Sequence, residues 1–330
     1  MKVLVTGGAG YIGSIVALQL IRAGHEVAVL DDISKGHRAA VPGGVEDCIE
    51  ADLLDVERIS RVLSRGYDGV LHFAALSLVG ESVEQPGRYY RANVAGTLNL
   101  LEAMRTAGVS RLVFSSTAAV YGEPEEVPIL ETTSTVPTNP YGGSKLAADQ
   151  LIGFFADAHG LRATSLRYFN VAGASGDLGE DHDPETHLIP LILEAALGQR
   201  ENVRIFGTDY ATPDGTAVRD YIHVEDLGRA HLLALEATDG ADNGEHRIYN
   251  LSNGAGFSVR EVVEAARRVT GRTIKAIESP RRAGDPPVLV ASSDRIRAEL
   301  GWMPEKPSLE AMISDAWEWT QKHPQGYDEG

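Results

Sequence analysis

The chain has 330 residues, of which 43% are hydrophobic and 23% are charged. This is the composition of a globular protein with one large or two moderate domains, and it excludes a disordered or fibrous chain. The formal net charge of -17 disfavours nucleic acid and anionic membranes as partners. Cys48 is the single cysteine, which excludes an internal disulfide. With no signal peptide and no apolar stretch near ~20 residues, a cytoplasmic location is expected.

The first predicted element is a short strand, "KVLVT", and residues 12–23 have the apolar spacing of a helix that ends at Gly24. Gly7, Gly10 and Gly13 lie between them with the spacing of a nucleotide-binding turn. Side chains here would keep the backbone away from a pyrophosphate, whereas the free amides and the dipole of the helix favour its charge. Glycines also close ordinary turns, so the triplet alone is a weak signal.

A second predicted strand, "EVAVLDD", ends in Asp31 and Asp32. An acidic side chain at this distance from the glycines can accept hydrogen bonds from the adenosine ribose, and its charge would repel a 2′-phosphate. The pattern therefore predicts NAD rather than NADP as the cofactor. The alternative is that the two acids only cap a turn.

Three more apolar runs, "DCIEADLL", "GVLHFAAL" and "RLVFSST", alternate with helical segments. This alternation predicts an α/β fold with a Rossmann-like, doubly wound parallel sheet. Ligands bind such sheets at the carboxyl ends of the strands. The residues that we expect to line the adenine, ribose and nicotinamide sites there are Asp52, Phe73, Ala74, Ala75 and Ser115.

The stretch "NPYGGSKLAADQ" predicts the start of another helix, on which Tyr141 and Lys145 share a face. A neighbouring ammonium and the positively charged nicotinamide favour the phenolate, so Tyr141 could remove a proton from a substrate hydroxyl as hydride leaves the carbon. Thr117 could bridge the phenol and the substrate oxygen, or it could bond only to its own backbone. Without the other motifs, a surface tyrosine beside a solvated lysine would be the better interpretation.

Longer motifs give the chain a resemblance to a known family. "TGGAGYIG", "FSST" and "YGGSK" together resemble the extended short-chain dehydrogenase/reductase family. "HFAALSLVGES", "GTAVRDYIHVEDL" and "PRRAGD" are similar to the UDP-hexose 4-epimerases within that family, and the similarity covers nearly the whole chain. The resemblance implies a NAD-binding domain over residues 1–170, to which later segments such as residues 247–251 return, and a smaller C-terminal cap over residues 171–330 that binds a UDP-sugar.

The resemblance also implies an activity, the interconversion of UDP-galactose and UDP-glucose. In that family, bound NAD takes hydride from C4 of the sugar and returns it to the opposite face after the 4-keto sugar rotates. By resemblance, Tyr141 is the base and then the acid, Lys145 is its partner and a ribose ligand, and Thr117 is the third catalytic residue. The positions that match cofactor contacts are Gly7, Gly10, Tyr11, Ile12, Gly13, Asp31, Asp32, Ile33, Ser34, Lys35, Gly36, Asp52, Leu53, Phe73, Ala74, Ala75, Ser77, Asn93, Ser115, Tyr141, Lys145 and Phe169.

The second half of the chain matches the family's substrate contacts. Arg219 and Arg282 match the residues that hold the diphosphate, which two guanidiniums could grip despite the acidic chain. Asp285 matches an acid that meets the uridine ribose, and Phe206 lies in a segment beside the uracil. Alone, each arginine could be a surface ion pair. The full set of expected substrate contacts is Thr117, Tyr141, Asn170, His187, Leu188, Arg204, Ile205, Phe206, Arg219, Arg282, Asp285 and Leu289.

Four positions depart from the family's pattern. Ser77 stands where a lysine often contacts the cofactor, and His187 replaces a common asparagine of the sugar pocket. Gly143 replaces a longer residue and would cost up to about 1 kcal/mol in the middle of a helix. Leu289 lies at a pocket wall where a tyrosine is associated with unmodified hexoses and a small residue with N-acetylated ones. Leucine is intermediate, which predicts UDP-galactose and UDP-glucose as the main pair and leaves weak activity on UDP-N-acetylhexosamines open.

Other functions are open from the sequence. A sugar-nucleotide 4,6-dehydratase needs further acid–base groups beside the threonine, where this chain has Ala118 and Ala119. A catalytically silent dinucleotide sensor would not need Thr117, Tyr141 and Lys145 together. The nearest alternative is an epimerase acting on UDP-N-acetylhexosamine, UDP-glucuronate or UDP-pentose.

Two apolar helix surfaces predict self-association. The helix that begins near Tyr141 has an apolar arc of about 160°, which is wide for one contact. The helix around Tyr90, Leu98 and Leu101 is similarly apolar. We expect these surfaces to meet a second copy of the chain in a homodimer, and the family resemblance agrees.

The remaining histidines give no further signal. No metal-ligand spacing stands out among them, and ordinary packing or surface positions are expected. His223 and Asp226 lie at the start of a predicted helix, where capping is the expected role.

Overall fold

The computed structural model describes residues 1–282 and 285–328. Its strands are β1 (Lys2–Thr6), β2 (Glu26–Asp31), β3 (Asp47–Glu50), β4 (Gly69–His72), β5 (Arg111–Thr117), β6 (Arg162–Tyr168), β7 (Asn170–Ala172), β8 (Val203–Phe206), β9 (Val218–His223), β10 (His246–Leu251), β11 (Gly256–Ser258), β12 (Ala276–Ser279) and β13 (Val288–Leu289). Its α-helices are α1 (Tyr11–Arg22), α2 (Val56–Leu63), α3 (Val79–Glu84), α4 (Pro86–Tyr89), α5 (Gly96–Ala107), α6 (Pro140–His159), α7 (Leu188–Leu197), α8 (Val224–Ala237), α9 (Val259–Thr270), α10 (Asp294–Leu300) and α11 (Leu309–Lys322). Two 3-10 helices span Arg38–Ala40 and Ala118–Val120, and a π-helical segment spans Tyr90–Ala95.

Seven parallel strands form the main sheet, in the order β10-β6-β5-β4-β1-β2-β3. Successive side chains of a strand point to opposite faces, so Leu4 packs in one apolar layer while Val3 and Val5 pack in the other. Both faces are therefore covered, as a parallel sheet requires. The strand order reverses at β1, which lies between β2 and β4. Such a reversal opens a crevice at the carboxyl ends of the strands. The predicted Rossmann-like α/β fold is confirmed.

The predicted strands lie where the sequence places them. "KVLVT" is β1, "EVAVLDD" contains β2, and the next three apolar runs contain β3, β4 and β5. The expected return of residues 247–251 to the main sheet is also observed, because β10 pairs with β6 through Tyr249 opposite Leu166. The seventh strand therefore comes from the second half of the chain.

Residues after β6 build smaller layers beside the main sheet. In the four-stranded sheet, β9 pairs with β7, β11 and β13, while β8 and β12 pair separately. Helices α7, α9 and α11 pack around a separate apolar core that includes Ile192, Val262 and Met312. No helix in residues 1–282 or 285–328 is both long and apolar enough to cross a bilayer.

Local signals fix both ends of α6. The Asn139 side chain accepts a hydrogen bond from the Gly142 amide at 2.9 Å, and Pro140 occupies the first turn. Gly160 ends the helix in the left-handed region at φ 71°. Tyr141 and Lys145 therefore lie in the first two turns of α6, as predicted.

Candidate active site

The turn between β1 and α1 admits only glycine at two positions. A Cβ on Gly7 would lie 2.5 Å from the Ala74 backbone nitrogen, and Gly7 has φ 73°. A Cβ on Gly13 would lie 2.1 Å from the Gly7 carbonyl oxygen. No side chain among the described residues caps the start of α1, where Gly10 is the N-cap. The first amides of α1 are thus free to bind an anion such as a pyrophosphate.

The two acids after β2 differ in environment. The Asp31 carboxylate is 7% exposed and accepts hydrogen bonds from the Ala9 and Ile33 amides at 3.0 and 2.9 Å. Burial raises the pKa of Asp31, and these hydrogen bonds act to lower it. Asp32 is exposed and accepts hydrogen bonds from the amide and hydroxyl of Ser34. Asp31 therefore lies against the glycine turn, whereas Asp32 orders the next turn.

The loop after β2 closes over the glycine turn. Ile33 has φ 56°, a left-handed conformation that is costly for a β-branched residue. A Cβ on Gly36 would lie 2.7 Å from the Ala9 carbonyl carbon. Lys35 reaches away from this turn and donates to the Asp183 carbonyl oxygen at 2.6 Å. Two of these three predicted cofactor residues thus shape the backbone, and Lys35 links the loop to a distant segment.

The loops after β3 and β4 contain the next predicted cofactor residues. Asp52 is exposed and Leu53 is buried, while Phe73, Ala74 and Ala75 are half-buried and Ser77 is exposed. Asn93 is buried, accepts from the Leu76 amide at 2.8 Å, and donates to the Leu76 carbonyl oxygen and the Ser144 hydroxyl. Asn93 thus fastens the loop after β4 to α6, and its contact with a cofactor stays a prediction.

Thr117 and Tyr141 are in contact at the carboxyl end of β5, and Lys145 lies one turn further along α6. Thr117 is 8% exposed and Lys145 is 2% exposed. The Thr117 hydroxyl contacts the Tyr141 phenol and also accepts a hydrogen bond from the Ala119 amide at 3.2 Å. Thr117 therefore bonds to its own backbone and also contacts the phenol, and its contact with a substrate oxygen stays a prediction. The Lys145 ammonium lies 4.3 Å from the centre of the Phe114 ring.

Burial shifts the pKa values of both members of this pair. Burial raises the pKa of the Tyr141 phenol above its ordinary value, and the hydrogen bond with Thr117 acts to lower it. Burial lowers the pKa of Lys145 from 10.5 to about 8, and the charge of Asp149 opposes this shift. Lys145 is thus mostly charged at neutral pH. The chain's own groups do not produce the predicted low phenol pKa, because desolvation outweighs them.

A buried ion pair supports these residues, and the sequence analysis missed it. Asp149 and Arg167 are 3% and 4% exposed, and the Arg167 Nε donates to the Asp149 Oδ2 at 3.1 Å. The Ser116 hydroxyl donates to the same oxygen at 2.9 Å. Ser116 precedes Thr117 and Asp149 lies one turn after Lys145, so the network fastens β5 to α6. Charged residues within otherwise buried elements are the signal that could have revealed it.

Two more aromatic residues lie at the carboxyl end of β6. Tyr168 and Ser115 share a buried hydrogen bond at the ends of β6 and β5. Phe169 packs with Leu146 and Leu289 against a small apolar cluster around Val120. This contact joins α6 to the cap, because Leu289 lies on β13.

Several predicted substrate residues lie on the strands that pair with β9. Asn170 begins β7 directly after Phe169, and β7 pairs with β9. Leu289 on β13 is opposite Arg219 on β9. Arg219, a predicted diphosphate contact, forms a hydrogen-bonded ion pair with Asp285, a predicted ribose contact.

The remaining predicted substrate residues lie in two places. On β8, Ile205 is buried and Arg204 is exposed, and the Arg282 guanidinium lies 4.1 Å from the centre of the Phe206 ring. Leu188 is half-buried at the start of α7. Its neighbour His187 lies in a group with Glu180, His182 and Glu185, and its contact with a sugar stays a prediction. That group also escaped the sequence analysis, although all four residues lie within eight positions.

Three smaller expectations are refined. The His223 ring accepts a hydrogen bond from the Glu225 amide and caps α8, as predicted. Asp226 does not cap α8, because its carboxylate accepts from the distant amides of residues 305 and 306. A Cβ on Gly143 would lie 2.8 Å from the Tyr90 hydroxyl, so this glycine lets α6 and the π-helical segment approach closely.

Comparison with known proteins gives this site its context. A model of the NAD dependent epimerase/dehydratase family matches residues 3–252. The chain belongs to this family. It is 58% identical to a UDP-glucose 4-epimerase of Streptomyces lividans, over 99% of this chain and 98% of that protein.

Solved structures of related proteins share the fold. UDP-glucose 4-epimerase from Brucella ovis in complex with NAD has 45% identity and a TM-score of 0.92, covering 96% of this chain and 97% of that chain. UDP-glucose 4-epimerase from Bifidobacterium longum in complex with NAD⁺ and UDP has 37% identity and a TM-score of 0.92, covering 99% of this chain and 100% of that chain. The close backbone approaches at Gly7 and Gly13 fit the dinucleotide of an epimerase/dehydratase family member, since a Cβ would fill the cradle.

Proposed function

We propose that the protein interconverts UDP-galactose and UDP-glucose as a NAD-dependent epimerase that acts at C4 of the sugar. The observation that carries this proposal is the contact of Thr117 with Tyr141 beside the buried Lys145, at the carboxyl edge of the sheet. The 58% identity to the Streptomyces lividans UDP-glucose 4-epimerase supports the same activity. Ala118 and Ala119 offer no group for a dehydration.

The chain's part in the chemistry is to move one proton. When bound, NAD supplies the acceptor and then the donor of the hydride at C4. Tyr141, as phenolate, accepts the proton of the C4 hydroxyl and later returns it to the same oxygen. Thr117 orients that hydroxyl, and the Lys145 ammonium stabilises the phenolate. The sugar rotates between the two transfers, so the configuration at C4 inverts without net redox change.

The proposed binding residues divide between the two parts of the chain. Residues 1–170 would hold the cofactor, with Asp31 as the acceptor for the adenosine ribose. Residues 171–330 would hold the UDP-sugar, although β10 belongs to the main sheet. The ion pair of Arg219 with Asp285 implies that a diphosphate competes with this carboxylate for the guanidinium. Arg282, held on Phe206, is the second proposed diphosphate ligand.

The direct test is incubation of the purified protein with UDP-galactose, without added NAD. Conversion to UDP-glucose up to a constant ratio, without accumulation of reduced nicotinamide, is the expected result. A 4-keto-6-deoxy product would identify a dehydratase instead. Unchanged UDP-galactose, even with NAD added, would favour a dinucleotide sensor.

Leu289 is proposed to limit the size of the sugar. Its side chain is half-buried and packs against the same small apolar cluster as Phe169. Leu289→Ala should raise kcat/KM for UDP-N-acetylglucosamine relative to UDP-galactose by about 10-fold or more, as removal of a pocket wall typically does. Steady-state kinetics with both sugars measures the ratio. Leu300→Ala, a half-buried leucine on α10, is the matched control, and an unchanged ratio in Leu289→Ala would contradict the proposal.

A homodimer through the outer surfaces of α3, α5 and α6 is also proposed. Phe154 on α6 is 69% exposed, and Val83, Tyr90 and Leu98 are exposed on the neighbouring helical segments. Leu101 is 1% exposed and packs in the core. The proposed interface therefore includes Tyr90 and Leu98 but not Leu101, which the sequence analysis had placed with them. Exposed apolar groups of this size are typical of an interface.

Phe154→Glu should convert the dimer to a monomer, because it would bury a charge in the interface. Light scattering at working concentration measures the mass. Met303→Glu changes a residue that is 60% exposed, outside this surface, and should leave the mass unchanged. A wild-type chain that is already monomeric would contradict the proposal.

A further inference from the structure

Four side chains of the segment between β7 and α7 converge on one point. Glu180, His182, Glu185 and His187 each offer one ligand atom, and these atoms all lie within 4.8 Å of one another. The His187 Nδ1 is 2.9 Å from the Glu180 Oε1 and 2.9 Å from the Glu185 Oε1. The His182 Nδ1 is 3.2 Å from the Glu180 Oε1 and 3.8 Å from the Glu185 Oε2.

The hydrogen bonds within this group leave some of its polar atoms without a well-aligned partner. One N–H of His187 faces two carboxylate oxygens at equal distance, although it can donate a well-aligned hydrogen bond to only one. The His182 Nδ1 is shielded from solvent, and although it lies 3.2 Å from the Glu180 Oε1, it makes no well-aligned hydrogen bond with a described residue. A buried nitrogen without a partner costs free energy. A metal ion placed between the four side chains would accept lone pairs from all of their ligand atoms.

The negative charges of the two glutamates are also compatible with a bound cation. The side chains of Glu180 and Glu185 are 10% and 8% exposed. Among the described residues, no lysine or arginine forms an ion pair with either carboxylate. Buried carboxylates need a compensating charge, which the two imidazoles supply when protonated and which one divalent cation would supply in place of both protons.

We propose that these four residues bind one Zn²⁺ ion. Two imidazole nitrogens and two carboxylate oxygens form a ligand set that suits zinc. Zinc–ligand bonds of about 2.0–2.2 Å place tetrahedral ligands roughly 3.3 Å apart. Three separations within one set of ligand atoms, at 2.9, 2.9 and 3.2 Å, lie near that value, and the ligand atoms of the group all lie within 4.8 Å of one another. Because the protein fills all four positions, the ion is structural and leaves no site open for catalysis.

The position of the group indicates what the ion would stabilise. Lys35 and His37, in the loop that follows β2, contact the carbonyl oxygens of Asp183 and Asp181. The same segment leads directly into α7 at Leu188. A bound ion would therefore fasten the loop beside the glycine turn to the start of the cap.

Zinc binding to the purified full-length chain tests the proposal. The protein is stripped with a chelator and titrated with Zn²⁺ in the absence of any nucleotide sugar, so that the result does not depend on epimerase activity. One Zn²⁺ per chain is expected, with a rise in the thermal unfolding temperature. Co²⁺ in place of Zn²⁺ should give the visible absorption of a tetrahedral complex.

Variants separate this site from adventitious binding. His182→Ala and Glu185→Gln should each weaken binding by about 100-fold or more, since even changes outside the ligand set can cost that much. Each should also lose the Zn²⁺-dependent rise in unfolding temperature. Glu185→Gln keeps the side-chain volume, so it reports on the ligand even if His182→Ala folds poorly.

His159→Ala, which removes an exposed histidine at the end of α6, should bind like the wild type. The proposal is overturned if the wild type takes up no zinc, or if His182→Ala and Glu185→Gln bind it as tightly as the His159→Ala control. Either result would mean that the four side chains form a proton-linked ion-pair cluster instead.

Discussion

Tyr141→Phe should lower kcat for UDP-galactose by about 10²–10⁴-fold, the usual contribution of a general acid–base group. This loss corresponds to about 3–5 kcal/mol of activation free energy. The substitution removes only the hydroxyl that contacts Thr117, and it leaves the ring in place on α6. Binding of UDP-galactose should therefore change little, so the effect should appear in kcat rather than in KM.

Two measurements distinguish lost chemistry from lost structure. Tyr141→Phe should keep the NAD content and the unfolding temperature of the wild type, because the hydroxyl is not part of the glycine turn. Tyr67→Phe is a matched control, since Tyr67 is also buried but lies just before β4, at the amino end of the strands, whereas the site lies at their carboxyl ends. A Tyr141→Phe enzyme with wild-type kcat would exclude Tyr141 as the base.

Gly13→Ala should remove the cofactor and destabilise the chain together. The new Cβ would lie 2.1 Å from the Gly7 carbonyl oxygen and 3.0 Å from the Gly8 Cα. Both are backbone atoms, so α1 must move away from β1 or the turn must open. Overpacking of this kind costs about 1–3 kcal/mol. The displaced amides of α1 would no longer converge on a pyrophosphate.

NAD released from the denatured protein and the unfolding temperature measure both effects. Gly43→Ala is the control, because Gly43 is exposed and a Cβ there would meet nothing within 4 Å. Gly43→Ala should therefore retain wild-type NAD content. If Gly13→Ala also purified with a full complement of NAD, the glycine turn would not be the pyrophosphate cradle.

The parts predicted well from the sequence are those specified by residues close together in the chain. The strand "KVLVT", the glycine turn and the start of α6 each depend on fewer than about ten neighbouring residues. His223 as a cap of α8 is of the same kind. Hydrophobic period and turn chemistry report such features directly.

The parts that escaped prediction depend on long-range contacts. Asp226 is two residues from the start of α8, yet its partners are amides about eighty residues later. Asp149 and Arg167 form their pair only because α6 packs against β6 and β5. Local periodicity carries no information on such partners, so only burial in the folded chain reveals them.

The effect of burial on the phenol pKa escaped the sequence analysis for a different reason. Spacing along α6 indicates that Lys145 and Tyr141 share a face, but it does not report how much water they lose. Burial acts on both groups, raising the pKa of one and lowering that of the other. The residue types therefore identify Tyr141 and Lys145 as a pair, but they do not predict the pKa of either group.

The origin of β10 has a consequence for biosynthesis. A ribosome completes β6 almost eighty residues before it reaches β10, so the nascent sheet ends at β6 with a row of unpaired backbone groups. Such an open edge invites pairing with another chain. Truncation after residue 170 would make that edge permanent, so the first half alone is a poor candidate for independent production. The main sheet is therefore complete only after β10 has been synthesised and has paired with β6.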